Sequence, residues 1–188
     1  MKIIVARYNE SIEWTKEFPN VIIYNKGEKL NIDNEIMLEN VGREGHTYYT
    51  HIYDNYDNLD DFTIFLQGNP FDHSSDIINI ISKIIINDNS ELEFRNLSNV
   101  VVLCKLNGCR LHPGLELMDM YEKLFDEKGD REKQFQFGFG GQFIVSKKKI
   151  LSRPRDFYMK IIKLLDYDIN PIEGFVIERF HRLIFSID

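Results

Sequence analysis

Four short runs of almost unbroken apolar residues punctuate this chain: Lys2-Ile3-Ile4-Val5-Ala6, Val21-Ile22-Ile23-Tyr24, Phe62-Thr63-Ile64-Phe65-Leu66 and Val100-Val101-Val102-Leu103-Cys104. A strand with no polar alternation has to be covered on both faces, which marks buried and largely parallel strands. Parallel strands need crossover connections, and the segments between these runs carry helical spacing. Ile77, Ile81, Ile84 and Ile85 follow the i, i+4, i+7, i+8 rule, and Leu117, Tyr121 and Leu124 share a face, as do Phe157, Ile161 and Leu165. The element order reads β-α-β-loop-α-β-α-β-α-β-α-α, an α/β domain with a mixed, mostly parallel sheet flanked by helices. At 188 residues with no internal repeat, it reads as one domain over residues 1–188.

Local signals sharpen the boundaries. Asn9 is expected to cap a short helix carrying Ile12 and Trp14. A loop through Gly42-Arg43-Glu44-Gly45 precedes a helix over about residues 46–56, with Tyr49, Ile52, Tyr53 and Tyr56 on one side. The next helix is expected to start near Asp72 or Ser74. Residues 135–145 alternate aromatic and small side chains and read as one strand or two. Pro154 suits a first helical turn, and Asn170-Pro171-Ile172-Glu173 places an N-cap, an N1 proline and an N3 glutamate before a helix ending near Ile184.

Charge narrows the partners. Lysine and arginine total 23 against 30 aspartates and glutamates, a net charge of -7. A nucleic-acid surface is normally basic, so nucleic acid is not an expected partner. Lys147-Lys148-Lys149 with Arg153 and Arg155 reads as a solvated helix end. No apolar run approaches the ~18 residues of a membrane span, and the apolar start before Arg7 is too short for a secretory signal. Two cysteines, Cys104 and Cys109, make no disulfide framework. An intracellular, cytoplasmic location follows as an expectation, in a host cell if the chain is viral.

In open α/β sheets ligands bind beyond the carboxyl ends of the strands, and the unusual residues stand there. Arg7-Tyr8-Asn9-Glu10 joins a guanidinium to a helix start, both favourable to phosphate; a plain cap with a surface arginine reads equally from the residues. Asn25 and Lys26 end the second strand. Gly42-Arg43-Glu44-Gly45-His46 has two glycines that permit close approach, or only a helix-entry turn. Gln67-Gly68-Asn69-Pro70-Phe71-Asp72-His73 follows a buried strand; Asp72 and His73 could ligate a metal or act as an acid/base pair, or Asp72 could simply cap. Gly138-Phe139-Gly140-Gly141-Gln142 marks close approach of a ligand or a bulge. Glu173 could be a base at a helix start, and Glu178, His181 and Arg182 share one helix face, where Glu178 and Arg182 suit an ordinary ion pair.

Taken together, Val5-Ala6-Arg7-Tyr8-Asn9-Glu10, Ile23-Tyr24-Asn25-Lys26-Gly27, Asn40-Val41-Gly42-Arg43-Glu44-Gly45-His46-Thr47-Tyr48, Phe65-Leu66-Gln67-Gly68-Asn69-Pro70-Phe71-Asp72-His73, Ser152-Arg153-Pro154-Arg155-Asp156-Phe157-Tyr158 and Glu173-Gly174-Phe175-Val176-Ile177-Glu178-Arg179 resemble the domain of unknown function 3431. That likeness covers nearly the whole chain, and the family spans fungi, bacteria and large DNA viruses. A more distant layout is similar to the GT-A fold of glycosyltransferases. The GT-A likeness implies that the first strand and its Tyr-Asn-Glu end hold a nucleotide, that Gly138–Gly141 is the glycine-rich segment, and that Glu173-Gly174 is the base site. It also implies Mn²⁺ or Mg²⁺ on an Asp-x-Asp motif, but Gln67-Gly68-Asn69 stands at that position, and amides lack the charge that hard cations need. Either Asp72 with His73 takes over the metal, or Arg7, Lys26 or Arg43 neutralises a diphosphate.

The expected function is therefore that of a glycosyltransferase, or nucleotide-sugar-binding domain, acting between a nucleotide-sugar donor and a glycan or protein acceptor. Glu173, Asp72 and Glu178 are the candidate catalytic residues. Arg7, Asn9, Asn25, Lys26, Gly42, Arg43, Glu44, His46, Gln67, Asn69, Gly140 and Gly141 are the candidate donor-binding set. The alternatives are a hydrolase or phosphoesterase using Asp72 and His73, and a non-catalytic carbohydrate- or protein-binding module. The sequence sets no oligomeric state.

Overall fold

The computed structural model describes residues 1–87, 91–109 and 111–186. Six strands form the main sheet: β1 (Lys2–Arg7), β2 (Val21–Asn25), β3 (Glu35–Met37), β4 (Phe62–Gln67), β5 (Phe94–Asn96) and β8 (Phe143–Ser146). Their order is β3-β2-β1-β4-β8-β5. β1 runs parallel to both β2 and β4, and β3 adds in parallel beyond β2. β8 is antiparallel to β4 and β5. β6 (Val101–Lys105) and β7 (Gln134–Gly138) form a separate antiparallel ribbon.

Alternation along the central strands divides the core. Ile3 and Val5 of β1 point to one face, with Ile23, Ile64, Leu66 and Ile144, and meet Ile77, Ile81 and Ile84 of α2 (Ile77–Ile86). Ile4, Tyr24, Phe65 and Phe143 point to the other. There they meet α1 (Arg43–Asp54), α5 (Arg155–Leu165) and α6 (Ile172–Phe185). α3 (Leu117–Phe125) buries Leu117, Tyr121 and Leu124, while α4 (Lys147–Leu151) extends from β8. The doubly covered sheet accounts for the unbroken apolar runs of β1 and β4.

Several local expectations are corrected. Asn9 caps no helix: its Oδ1 accepts from the Glu28 N–H at 2.9 Å, and only a 3-10 turn, Glu13–Glu17, follows. α1 starts at Arg43, because Gly42 and Arg43 both take left-handed φ values of 64° and 53° and turn the chain directly into the helix. It ends at Asp54, and Tyr56 falls in a 3-10 turn. α2 begins at Ile77, not near Asp72 or Ser74: Asp72 closes a 3-10 turn, and the Ser74 hydroxyl donates to Leu97 O at 2.7 Å. Ile85, near the end of α2, is exposed.

The fourth apolar run stays out of the main sheet. Its Val101 and Leu103 are 44 % and 60 % exposed, so the ribbon is covered on one side only. Residues 135–145 split into β7 and β8 because Gly140 and Gly141, at φ 71° and 59°, redirect the chain between the two sheets. β3 and β5, three residues each, carry too little pattern to be anticipated. Pro154 and Pro171 each stand just before their helices, so Glu173 is the second residue of α6 and no capping box forms. Lys148 and Lys149, read as a solvated helix end, belong to α4 and pair with Glu93 at 3.1 Å.

Candidate functional site

A cleft of about 600 Å³ opens beyond the carboxyl ends of β1, β2 and β4. Arg7 and Tyr8 come from β1 and its exit, Lys26 follows β2, Arg43 and Glu44 open α1, and Gln67, Asn69 and Asp72 follow β4. Ile169 and Asn170, before α6, close the far side. The chain turns from β1 outward to β2 and β3, then back across to β4. The cleft therefore lies at the topological switch point between β1 and β4, where α/β sheets leave a crevice.

The three cations in the cleft are held differently. Arg7 is 7 % exposed and donates to the carbonyls of Tyr8, Glu10 and Glu28 and to Asn25 Oδ1 at 2.7–3.0 Å. Its Nε and Nη1 thus bind together the loops after β1 and β2, and Asn25 is fully buried beneath it. Lys26 Nζ donates to Val41 O and Arg43 O, anchoring the entry to α1. Burial, offset in part by Glu44, lowers its pKa to about 8. Arg43 stacks on Phe175 at 4.1 Å and lies 3.7 Å from Glu44 and 3.4 Å from Asn170 Oδ1. It is the cation of the three with the fewest structural hydrogen bonds.

The loop after β4 is built firmly. Trp14 Nε1 donates to Gly68 O at 3.0 Å, and a Cβ on Gly68 would meet Glu10 Oε2 at 2.5 Å. Asp72 Oδ2 accepts from Asn69 Nδ2 at 3.0 Å. His73 lies under Gly140: a Cβ there would stand 2.2 Å from His73 Cδ2 and 3.1 Å from Gln67 Oε1. A Cβ on Gly141 would meet His181 Nε2 at 3.0 Å and Glu178 Cγ at 3.5 Å. The glycine pair thus admits other side chains of the protein.

Behind the cleft stands Glu178, which accepts from the Gly140 N–H at 2.9 Å. Burial first, then the neighbouring Glu44 carboxylate, raises its pKa to about 7, against the pull of Arg179, Arg43 and the Gly140 N–H. Glu44 and Glu178 are only 10 % and 12 % exposed, so two nearly buried carboxyl groups oppose each other. The expected Glu178–Arg182 pair does not form, since Arg182 donates instead to Gln136 at 2.8 Å.

Some candidates lie apart. Glu173 accepts from the Tyr167 hydroxyl and borders a separate hollow of about 250 Å³ with Glu116 and Met120. Gly42 is buried under α5, where a Cβ would strike Leu165 O at 2.8 Å. His46 is buried, its Nδ1 has no partner, and burial followed by Lys26 lowers its pKa to about 4. Asn9 serves the Glu28 loop. Tyr8 and Glu10, in the segment that the GT-A likeness assigns to a nucleotide, line the cleft, as do Asn40, Ile169 and Asn170, which were not among the candidates. Asn170 was read only as a cap.

The donor set does not fit a divalent cation held by protein alone. On the loop after β4, Gln67 and Asn69 are neutral and Asp72 is its one carboxylate. Among the described residues no three His, Cys, Asp or Glu side chains are grouped to hold a metal ion. Among those residues, too, no helix is long and apolar enough to cross a membrane.

No curated protein and no solved structure matches this chain. A family model described as "protein of unknown function (DUF3431)" matches residues 3–188. With the match running from the first strand to the last residue, the chain belongs to the DUF3431 family.

Proposed function

We propose that this cleft takes a nucleotide-diphosphate sugar and that the protein transfers the sugar to an acceptor hydroxyl, on a scaffold of GT-A type. The observation that carries the reading is the position of the cleft at the β1/β4 switch point, with Lys26 and Arg43 on its wall and the Glu44–Glu178 pair behind it. In this reading Arg43 and Lys26 meet the diphosphate and stabilise its charge as the bond to the anomeric carbon breaks. Arg7 shapes the floor by holding the two loops. An acceptor hydroxyl loses its proton to the Glu178 carboxylate as its oxygen attacks the anomeric carbon; a group titrating near 7 suits that exchange at neutral pH. Glu178 takes this role in preference to Glu173 because it neighbours Glu44 and Arg43 of the cleft wall, whereas the Glu173 carboxylate is bonded to Tyr167 beside a separate hollow.

A binding module without turnover is the second reading. It is favoured by the neutral Gln67 and Asn69 at the expected metal-ligand positions. A hydrolase using Asp72 and His73 is less well supported, because Asp72 is bonded to Asn69 and His73 is packed under Gly140.

Thermal shift with UDP, GDP and their sugars, with and without Mn²⁺, tests the assignment. A ligand at 100 times its Kd adds roughly 2.7 kcal/mol of stability. Arg43→Ala is expected to weaken that binding at least about tenfold. Lys26 should also take up a proton on binding between about pH 8 and its ordinary 10.5, visible in calorimetry across buffers of different ionisation enthalpy. No shift with any nucleotide sinks the proposal. A shift with no sugar transfer or release leaves the binding module.

A further inference from the structure

The turn that follows β6 carries a second chemical group, outside the cleft but joined to Glu178 through Arg179, and its chemistry does not depend on the sugar-transfer reading. Lys105 and Gly108 exchange both backbone hydrogen bonds, Lys105 N to Gly108 O at 3.4 Å and Gly108 N to Lys105 O at 3.1 Å. They close a two-residue turn over Leu106 and Asn107. The next residues outward, Cys104 and Cys109, then face each other as a non-hydrogen-bonded cross-strand pair. Such pairs bring Cα atoms to about 4.5 Å, at the near end of the range a disulfide spans. The side chains confirm the facing: the two Sγ atoms are 2.6 Å apart, and both cysteines are free.

We propose that Cys104 and Cys109 form a reversible redox pair, oxidised by a small hydroperoxide to a disulfide within the hairpin. The two thiols are chemically unequal. Burial, then hydrogen bonding to Cys109, raises the Cys104 pKa to about 12. Burial opposes ionisation of Cys109 too, but hydrogen bonds from Cys104, the Leu111 N–H and the Arg179 guanidinium outweigh it and lower the Cys109 pKa. Arg179 is 1 % exposed and held in place by Phe175 O, by His112 Nδ1 at 2.7 Å and by the Phe137 ring at 4.7 Å. With His112 so engaged and no third ligand grouped with the cysteines among the described residues, a metal site is not the better use of this pair.

The steps balance. The Cys109 thiolate attacks one peroxide oxygen, the O–O bond breaks, and hydroxide leaves and takes a proton, giving a sulfenic acid. Cys104 sulfur then attacks Cys109 sulfur, the S–O bond breaks, and water leaves with the Cys104 proton. Two thiols and one hydroperoxide yield one disulfide and two molecules of water where the oxidant is hydrogen peroxide. The sulfurs are buried, but the exposed turn residues Asn107 and Gly108 lie beside them, and peroxide is a small oxidant.

The test is a hydrogen peroxide titration of the full native chain, followed by unfolding, alkylation and intact-mass measurement. The expected product is a monomer about 2 Da lighter, with both alkylatable thiols lost together and both restored by dithiothreitol. Cys104→Ser should stop at oxygen adducts on Cys109, while Cys109→Ser should leave Cys104 unmodified at neutral pH. Two thiols still alkylatable after excess peroxide, oxygen adducts mapped to Cys109 in the unaltered chain, or a disulfide between chains would overturn the proposal. Equal reactivity of the two single variants would overturn the assigned order. If either variant fails to fold, the mass change of the unaltered chain decides alone.

Discussion

The two faces of the main sheet are built from different chemistry. The eleven apolar residues buried in the cluster on the α2 side are all isoleucine, valine or leucine. The α1, α5 and α6 side buries Tyr48, Tyr49 and Tyr158 with His46, His51 and His181. It also holds polar atoms without partners, among them His46 Nδ1, Tyr48 Oη, Arg179 Nε and His181 Nε2. Unpaired buried polar groups cost stability, so a protein that needed only a scaffold would repeat the aliphatic face. The costly face is the one that carries Glu44 to the cleft wall and Glu178 behind it. One side is aliphatic in its core, and the other holds titratable groups where water is scarce.

The largest break between the faces should come from acid. Burial lowers the pKa of His46 and His51 to about 4 and of His181 to about 3, against 6.5. The unfolded chain binds these protons first, so the stability is full above about pH 6.5 and is lost as pH falls through the folded values. Each histidine is worth up to roughly 3–5 kcal/mol at the limit. Denaturant melts at pH 7.5 and 4.5 should show steep loss; equal midpoints would show that these rings are charged or hydrated in the native state.

Ile81→Ala on the aliphatic face should cost about 2–5 kcal/mol, because the side chain is fully buried. Nucleotide-induced stabilisation should survive it. A variant that loses binding along with stability would show that the two faces are coupled.

Glu178→Gln should act in the opposite direction. The folded carboxyl titrates near 7 against an ordinary 4.5, so the native state pays for ionisation. Stability from this group is present at low pH and lost as pH rises between those values. The amide should raise the melting midpoint at pH 8 by at most ~3 kcal/mol in stability, and leave it unchanged at pH 4.5. A destabilised variant at pH 8 would mean that the Gly140 bond outweighs the charge penalty.

The same contrast decides what was legible in the sequence. β1, β2 and β4 announce themselves because both faces are aliphatic or aromatic, leaving no alternation to confuse with a surface strand. The β6 run looked identical, yet its Val101 and Leu103 face solvent, and nothing in an apolar run says how many faces are covered. At the site, Arg7, Lys26, Arg43, Gln67, Asn69 and Asp72 were legible because each follows a strand or opens a helix. Glu173 and Glu178 could not be ranked from sequence. They stand five residues apart on one helix, about 140° around its axis, and which of them neighbours Glu44 is set by how α6 packs. Cys104 and Cys109 were legible only as a count, since their facing depends on a turn between Lys105 and Gly108.

The antiparallel strand β8 sets a delay during synthesis. Phe62 of β4 pairs with Ser146 of β8, which lies 146 − 62 = 84 residues later in the chain. At roughly 5–20 residues per second, a ribosome needs about 4–17 s to deliver that partner. Through that interval β4 has β1 on one side and an open edge on the other, with Phe65 and Leu66 just made. An unpaired apolar edge is a template for the wrong strand. The nascent chain is therefore most in need of a chaperone between the emergence of β4 and that of β8, when the cleft floor exists but the sheet is still open.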